Sequence, residues 1–441
     1  MTHPDVGSLR CGLARRDISP PVGIDLSGFL ARTGPCLGVH DPLTATALVA
    51  SDGAMRVALV SCDLIGLGAA FVRRVRAAVE TQTGIAAAHQ MYACTHTHGG
   101  PETGVITHTG AADPAYLLGL EQTLVDLVGE AAAAVQPASI GWQRGQCGVA
   151  INRRAPEGTT GPVDRDLIVA VIQDAAGRAI GTLVHYSCHP VAAGAENRLA
   201  TADWCGISRS LLEAAGSGPV LMINGAAGDV NPRMAGRGFP AVEAAGEEIG
   251  AAALALWRQA TAAKGSGTAV AAQQAFVPVA FQPLAGREEL VALWRQWTRI
   301  ERSEAPESVA YRGGSVTHRE HSRRLARLHW GSDPLPSLVA EVQAMRIGPV
   351  IVAALPGEFF ANFGRQVKAA APDQPVLVAG WTNDNLGYFP TRDAYPQGGY
   401  EVEVAYRYYG YPAAWSPQSG EAVTEQAAAL VRQVKGVDAW Q

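Results

Sequence analysis

The chain has 441 residues, of which 48% are hydrophobic and 17% charged, and its formal net charge is −5. This composition is that of a slightly acidic globular protein, and it excludes a basic surface for nucleic acid and a polybasic membrane anchor. No apolar run reaches the roughly 18 residues of a membrane span, and the N-terminus lacks the apolar core of a secretion signal. We therefore expect a cytoplasmic protein without a stable membrane anchor, and a homo-oligomer is compatible with the sequence.

Seven cysteines are scattered along the sequence without a Cys-x-x-Cys pair. An odd and widely spaced set argues against a disulfide framework and against a structural zinc module. We expect most of these cysteines to be small buried hydrophobic residues. Cys94 and Cys188 are of interest because each lies within two residues of a histidine discussed below.

The first third of the sequence predicts strands and a helix in alternation. Residues 43–53 and 55–66 predict two strands joined by a Ser-Asp-Gly turn, and the second is a continuous apolar run that ends at Asp63. A helix is predicted from about Ala69 to Thr83, and a further strand follows at 90–95. This order places His96 at the carboxyl end of a strand, where open α/β sheets bind their ligands.

The stretch Gln90–Gly104, QMYACTHTHGGPETG, contains two histidines where this strand gives way to a Gly-Gly-Pro turn. On an extended backbone, residues two apart share a face and lie about 7 Å apart, so His96 and His98 point the same way. One metal ion or one scissile bond could lie between the two imidazoles. Taken alone, a His-x-His pair is equally compatible with solvated histidines at a strand end.

Downstream segments repeat the pattern of an apolar strand that ends in a polar signature. Residues 166–190 predict a β-hairpin whose second strand ends at His189-Pro190, because proline cannot continue a ladder. Residues 218–233 predict a buried strand that opens into a Gly-rich turn. Residues 339–360 predict two strands around a Gly-Pro turn that end at Glu358. Helices are predicted at about 115–135, 241–259 and 420–435.

Together these elements predict an α/β protein with mixed, largely buried β-sheets flanked by helices, and a single catalytic domain over residues 1–441. Residues 284–335 are more charged than their surroundings, and we expect them to form a helical insertion or lid. The histidines of this insertion are expected at the surface; they are His318, His321 and His329.

Five apolar strands end in the signatures SCD, CTHTHGGP, SCHP, MINGAAGD and LPGE. A sheet with helices on both faces presents its strand ends on one edge, so we expect a single rim. That rim would bring together His96, His98, His189 and Glu358. Histidines and a carboxylate without a thiolate cluster are typical of a catalytic zinc site with one position open for water.

Other polar residues have weaker signals. Asp63, Asp203 and Asp229 are candidates for carboxylates that fix the tautomer of a ligand imidazole, although aspartate caps turns equally often. His40 lies in an irregular early region, where a lone histidine is more often merely solvated.

At these motifs the sequence resembles the catalytic domain of the neutral/alkaline, non-lysosomal ceramidases. The resemblance runs from CGLARRDISPPVG through GVHDPLTATALV, VSCDL, THTHGGP, INRRAP, ADWCG, GDVNP and LPGEF to a tyrosine-rich loop. THTHGGP and LPGEF are the most specific pieces, and their order and spacing argue against chance. We expect the N-terminal catalytic domain only, because no segment resembles the family's C-terminal immunoglobulin-like domain.

The resemblance implies one zinc ion per chain and a defined set of site residues. The matching metal-ligand positions are His96, His189, Glu358 and Tyr388. The matching positions for contacts with the reacting amide and its oxyanion are His98, Arg153 and Tyr400.

The sequence departs from the family at one point of chemical interest. The family carries a serine in a Gln-Ser-Asn stretch just before the Gly-Asp pair, whereas this chain has Asn224, Gly225 and Ala226 there. We therefore expect direct attack by water and no acyl-enzyme.

These observations predict a zinc-dependent hydrolase that cleaves an amide bond by metal-activated water, in lipid metabolism or a related process. The expected substrate is a small-molecule amide or N-acyl compound, smaller or more soluble than ceramide. One alternative keeps the metal but changes the bond, to an ester, a lactone, a cyclic amide or a phosphoester. The other, motivated by Gly225, is a non-catalytic binding protein on a degenerate hydrolase scaffold.

Overall fold

The computed structural model describes residues 8–107, 109–156, 158–263, 267–284, 286–303, 321–322, 325, 327 and 338–437. The strands of the two main sheets are β1 (Arg10–Asp17), β3 (Thr44–Ser51), β4 (Arg56–Cys62), β5 (Gln90–Cys94), β6 (Gln136–Gln146), β8 (Asp166–Asp174), β9 (Ala179–Tyr186), β11 (Val220–Asn224), β13 (Val270–Val279), β14 (Leu338–Ile347), β15 (Val350–Ala354) and β17 (Val376–Ala379). The shorter strands are β2 (Gly38–Val39), β7 (Ala150–Asn152), β10 (Leu199–Ala200), β12 (Val230–Pro232), β16 (Glu358–Phe359) and β18 (Tyr388–Phe389). The α-helices span Ala69–Thr83, Pro114–Ala133, Trp204–Ala214, Phe239–Ala262, Arg287–Ser303, Ala361–Lys368, Tyr400–Glu403 and Pro417–Lys435.

The larger sheet has eight strands in the order β11-β9-β8-β6-β1-β3-β4-β5. Its two ends are parallel pairs, β11 with β9 and β4 with β5, whereas the central neighbours are antiparallel. The smaller sheet has the order β13-β14-β15-β17, and only β15 and β17 are parallel. The sheets are therefore mixed, as the sequence predicted.

The two sheets pack face to face and each carries helices on its outer side. Strand alternation sorts the side chains: Val49 packs against the helices of the larger sheet, whereas its neighbour Leu48 packs in the core between the sheets. Met345 and Val352 enter that same core from the smaller sheet. The expectation of helices on both faces of one sheet is wrong, because the second sheet covers the inner face of the first.

The edges of the larger sheet come together although they are the ends of its strand order. Ser61 Oγ donates to Met222 O at 2.6 Å, and Asn224 Nδ2 donates to Thr95 O at 2.7 Å. A twist of about 20–25° per neighbouring pair accumulates to roughly 150° over the seven pairs of this sheet. β5 and β11 are antiparallel in the strand order, but this twist turns them to run in nearly the same direction. The carboxyl ends of β5, β9 and β11 therefore converge on one rim.

Local predictions agree closely with the structure. The helix predicted at Ala69–Thr83 has those bounds, and the predicted hairpin consists of β8 and β9. The predicted insertion contains the helix Arg287–Ser303, but most of 304–337, with His318 and His329, lies outside the described residues. The prediction of a surface position is wrong for His321, which is buried and packs against the Tyr406 ring.

No helix within the described ranges has the length and apolar character that a membrane crossing requires.

The helix Phe239–Ala262 lies so close to β6 that any side chain at Gly141 should destabilise the fold. A Cβ atom there would overlap the Ala260 carbonyl oxygen and lie 2.8 Å from the Ala263 carbonyl oxygen. We expect Gly141→Ala to lower the free energy of unfolding by about 1–3 kcal/mol, as overpacking does. Gly119→Ala is the control: it is an exposed helical position with open space around it and should gain up to about 1 kcal/mol. Chemical denaturation measures both, and equal effects would contradict this account.

Candidate metal centre and active site

His96 lies two residues beyond the end of β5 and is fixed on three sides. Its backbone has a positive φ of 65°, and its N–H donates to Leu64 O at 2.9 Å. Its Nδ1 lies 2.6 Å from Ile65 O, and since a carbonyl oxygen only accepts, Nδ1 carries the proton. The Trp381 ring stacks on the imidazole with 4.2 Å between centroids. Nε2 is therefore left with a free lone pair in a fixed direction.

His189 reaches the same point from the end of β9. Its main-chain N–H donates to Val230 O at 3.1 Å, and its Nδ1 donates to Ala227 O at 2.6 Å. The ring lies edge-on to His96 with 4.9 Å between centroids. Its Nε2 consequently also presents a lone pair to the interior.

Glu358 supplies a carboxylate opposite the two rings. Its Oε2 lies 3.1 Å from His189 Nε2 and 3.5 Å from His96 Nε2. Burial alone would raise the pKa of this carboxyl, but the two histidines and a hydrogen bond from Tyr409 outweigh it and lower the pKa to about 2. Burial lowers the pKa of His96 to about 3. Burial therefore keeps the His96 imidazole neutral beside an ionised carboxylate.

This arrangement fits a metal ion. Two nitrogen lone pairs face an anionic oxygen at hydrogen-bond distance, although both imidazole protons are already directed to backbone carbonyls. Three acceptors with no proton between them repel one another unless a cation lies among them. Ligand atoms bound to one tetrahedral zinc at about 2.0–2.2 Å lie about 3.3–3.6 Å apart, close to the spacing seen here.

His98 completes a group of three histidines that could hold a metal. One ring nitrogen from each of His96, His98 and His189 lies within 4.8 Å of the others. Both ring nitrogens of His98 are buried without a hydrogen-bond partner, and burial lowers its pKa well below the usual value. Gly28, with φ of 96°, leaves the room that this ring occupies, since a Cβ atom there would overlap it. Arg32 holds the main chain by donating to His98 O at 2.6 Å.

A cavity of about 170 Å³ opens over this group. Its wall combines two of the histidines with Glu358, four tyrosines and a few aliphatic and small residues: Gly28, Leu30, His96, His98, Ile106, Thr109, Glu358, Tyr388, Tyr400, Tyr408 and Tyr409. Of the residues predicted for the site, five line the cavity and His189 contacts one of them. The predicted strand ends at His96, His189 and Glu358 thus lie together in the structure.

Arg153 lies behind the cavity wall. Its Nη2 donates to Gly228 O at 2.7 Å and to Tyr388 Oη at 3.1 Å, and its Nε donates to Glu401 at 2.9 Å. Burial would lower the pKa of this guanidinium, but Tyr388 and Glu401 raise it above the usual value. Arg153 is therefore a fixed positive charge, and its contact with the cavity passes through the Tyr388 hydroxyl.

The aspartates that were candidates for tautomer control have other partners, and that expectation is wrong. Asp63 pairs with Arg209 at 2.7 Å, Asp203 accepts from the backbone of Ala193, and Asp229 accepts from the backbone of Ala361. Backbone carbonyls orient the imidazoles instead. His40 is exposed and stacks on Phe239, so it lies outside the cavity wall as expected.

Gly225 is not among the residues that line the cavity. A Cβ atom there would overlap Ser187 Oγ and lie 2.9 Å from His185 Nε2. A side chain at this position would displace a packed strand neighbour before it could reach the cavity. The cysteines near the histidines, Cys94 and Cys188, are buried, and burial raises the pKa of both thiols, so neither is a ready thiolate ligand.

Two residues at the site were missed by the sequence reasoning. Trp381 backs His96, and Tyr409 donates a hydrogen bond to Glu358 Oε1. Burial and the Glu358 charge raise the pKa of the Tyr409 phenol well above its usual value, so it remains a donor. The run YRYYGY at 406–411 was the available signal, but it does not say which tyrosine faces the site.

The two layered sheets with helices on their outer sides place this chain in a class of mixed α/β folds that solved structures also show. The neutral ceramidase from Pseudomonas aeruginosa aligns with a TM-score of 0.72 over 98% of this chain and 75% of that chain, at 18% sequence identity. A ceramidase complexed with C2 aligns with a TM-score of 0.73 over 98% and 76% of the two chains, also at 18% identity. No protein-family model and no curated protein matches the sequence. The chain has the neutral-ceramidase fold, as its motifs predicted.

The buried ion pair of Asp63 and Arg209 should contribute to the stability of the fold and not to the chemistry of the site. Both side chains are almost fully buried, so Arg209→Met would leave an uncompensated carboxylate and should cost about 3–5 kcal/mol of unfolding free energy. Arg392→Met is the control, because Arg392 pairs with Glu421 at the surface and its loss should cost less than about 1 kcal/mol. Zinc content of the folded Arg209→Met protein should match that of wild type; a selective loss of metal would instead tie Asp63 to the centre.

Proposed function

We propose that this protein is a zinc-dependent hydrolase of N-acyl amides, with one ion per chain held by His96, His189 and Glu358. The observation that carries the proposal is that both Nδ1 atoms donate to backbone carbonyls while both Nε2 atoms lie within 3.5 Å of one Glu358 carboxylate oxygen. Neutral imidazoles and a carboxylate without thiolates are the donor set of catalytic zinc. Tyr388 is proposed as the fourth ligand, as the family resemblance implies, and it lines the same cavity.

A zinc ion at this position supplies Lewis-acid chemistry, lowering the pKa of a water from about 15.7 to near 7 and polarising the amide carbonyl. His98 is proposed to bind the reacting amide, to take a proton from the attacking water and to pass that proton to the leaving amine as the carbon–nitrogen bond breaks. Its ring nitrogens are buried, unpartnered and at the cavity wall, so a substrate group can satisfy them.

Arg153 and Tyr400 are proposed to stabilise the oxyanion. Tyr400 lines the cavity and is 44% exposed, so its hydroxyl can reach a substrate at the mouth. Arg153 donates to Tyr388 Oη, so its charge supports hydrogen bonding by the cavity wall to developing negative charge. Hydrogen bonds to Gly228 and Glu401 hold the Arg153 guanidinium in place. A donor held in this way contributes most to stabilising developing charge.

Direct attack by water is proposed in place of a covalent acyl-enzyme. Among the described residues of the cavity wall, Thr109 is the one with an aliphatic hydroxyl, and its Oγ1 donates to the Glu102 carboxylate. Glu102 also accepts from Ser27 Oγ and from the Gly104 N–H, so these bonds tie the hydroxyl into its loop. Gly225 leaves no serine at the position where the family carries one.

A test of the metal assignment compares His96→Ala with His89→Ala, a half-buried histidine on the same strand approach. Wild type and His89→Ala should hold about one zinc per chain by elemental analysis. Removal of a side chain that only hydrogen-bonds to a metal ligand typically lowers metal affinity about 10–100-fold. His96→Ala removes a ligand itself, so its zinc affinity should fall further, and nearly all amide hydrolysis should be lost. Full zinc content in His96→Ala would rule out the assignment, and two ions per chain would point to phosphoester chemistry.

The size of the cavity leads to a second prediction, on substrate choice. A volume of about 170 Å³ is below the roughly 300–1,000 Å³ of sites for drug-sized ligands. We expect short N-acyl amides and N-acyl amino acids to be cleaved with a higher kcat/KM than long-chain ceramides. Ile106→Ala should shift this ratio towards longer acyl chains because Ile106 lines the cavity, whereas Leu118→Ala, at a position 72% exposed, should not. Preference of the wild type for long-chain ceramide would contradict the proposal of a small substrate.

A further inference from the structure

We propose that Tyr409 is a positioning residue for the metal centre: its hydroxyl holds one oxygen of Glu358 so that the other oxygen faces the two histidines. The inference rests on the proposed function, since it takes Glu358 as a metal ligand. Neither the motifs nor the family resemblance points to Tyr409.

The two oxygens of the Glu358 carboxylate have different partners. Oε1 accepts from the Tyr409 hydroxyl, and Oε2 lies 3.1 Å from His189 Nε2 and 3.5 Å from His96 Nε2. The terminal torsion of a glutamate is soft and roughly two-fold, so an unbonded carboxylate presents either oxygen or both. Glu358 is only 2% exposed, and solvent cannot replace the missing donor. The Tyr409 bond therefore selects the oxygen and the rotation that the histidines meet.

The main chain fixes Tyr409 relative to Glu358. The Glu358 N–H donates to Gly387 O at 2.8 Å, and Gly387 has a φ of 73°. A Cβ atom on Gly387 would lie 2.7 Å from Cδ2 of Tyr409, so the ring packs directly on the peptide that pairs with Glu358. Absence of a side chain at 387 is what lets the phenol reach the carboxylate.

Other tyrosines also line the cavity, and their hydroxyls have different partners. The Tyr388 hydroxyl receives a hydrogen bond from Arg153 at 3.1 Å, and Tyr408 lines the same wall. The hydroxyl that reaches Glu358 belongs to Tyr409. The two hydroxyls therefore have different partners: the Tyr388 hydroxyl accepts from the Arg153 guanidinium, and the Tyr409 hydroxyl donates to the Glu358 carboxylate.

The test measures zinc affinity of Tyr409→Phe by competition of metal-free protein with a chromophoric chelator. Hydrogen-bond partners of metal ligands typically contribute 10–100-fold to affinity, so Tyr409→Phe should bind zinc about 10–100-fold more weakly. Tyr408→Phe removes a hydroxyl from the same cavity and should keep wild-type affinity. The unfolding temperature of the metal-free forms is the control: Tyr409→Phe loses one buried hydrogen bond and should unfold slightly below wild type, but a packing defect alone would not lower the zinc affinity of the protein that remains folded.

The outcomes that overturn this inference are distinct from those that overturn the function. Equal zinc affinity in wild type and Tyr409→Phe would overturn the inference and leave the proposed metal centre standing. Absence of stoichiometric zinc from wild type would overturn both. In the copper(II)-loaded protein, a phenolate-to-metal absorption band that disappears in Tyr409→Phe would show that the oxygen binds the ion directly, and would also overturn a positioning role.

Discussion

The proposed centre depends on two backbone hydrogen bonds, from His96 Nδ1 to Ile65 O and from His189 Nδ1 to Ala227 O, each 2.6 Å long. A carbonyl oxygen accepts only, so these bonds set the tautomer and the direction of each ring together. Ile65 follows β4 and Ala227 follows β11, so the neighbouring strand ends orient the histidines. The arrangement of the two histidines is thus set by how the sheet closes, and the surrounding side chains adjust it.

The wall behind His96 is built from strained backbone. His96, Trp381 and Asn383 have φ values of 65°, 47° and 65°, a region that costs non-glycine residues about 1–3 kcal/mol each. Such conformations persist where surrounding contacts impose them. Asn383 accepts from the Tyr92 N–H and donates to Gln343, both at 2.9 Å, and this bonding fixes the loop that presses Trp381 on the imidazole. This rigid backbone favours a fixed position of the His96 imidazole before a metal ion or substrate binds.

Features with a local signal could be predicted from the sequence, and features set by distant contacts could not. Apolar periodicity gave the helix Ala69–Thr83, and proline gave the strand end before His189. The pairing of the two sheets was missed because apolar runs do not state which surface covers them. The sequence left open whether aspartates orient the histidines, since a backbone carbonyl partner leaves no trace in the sequence. Tyr409 stands among four tyrosines within six residues, and only the folded chain shows which of them meets Glu358.

The segment Gly380–Asn383 also covers the two edges of the larger sheet. β5 and β11 are the edge strands of the larger sheet, and exposed edges pair readily with strands of other molecules. Gly380 N–H donates to Asn224 O on β11 at 2.9 Å, whereas Asn383 N–H donates to Tyr92 O on β5 at 2.9 Å. One short segment from late in the chain therefore covers both edges. A folding intermediate in which this segment has not yet docked exposes two unpaired edges at once, and it is the species from which aggregation is expected to start.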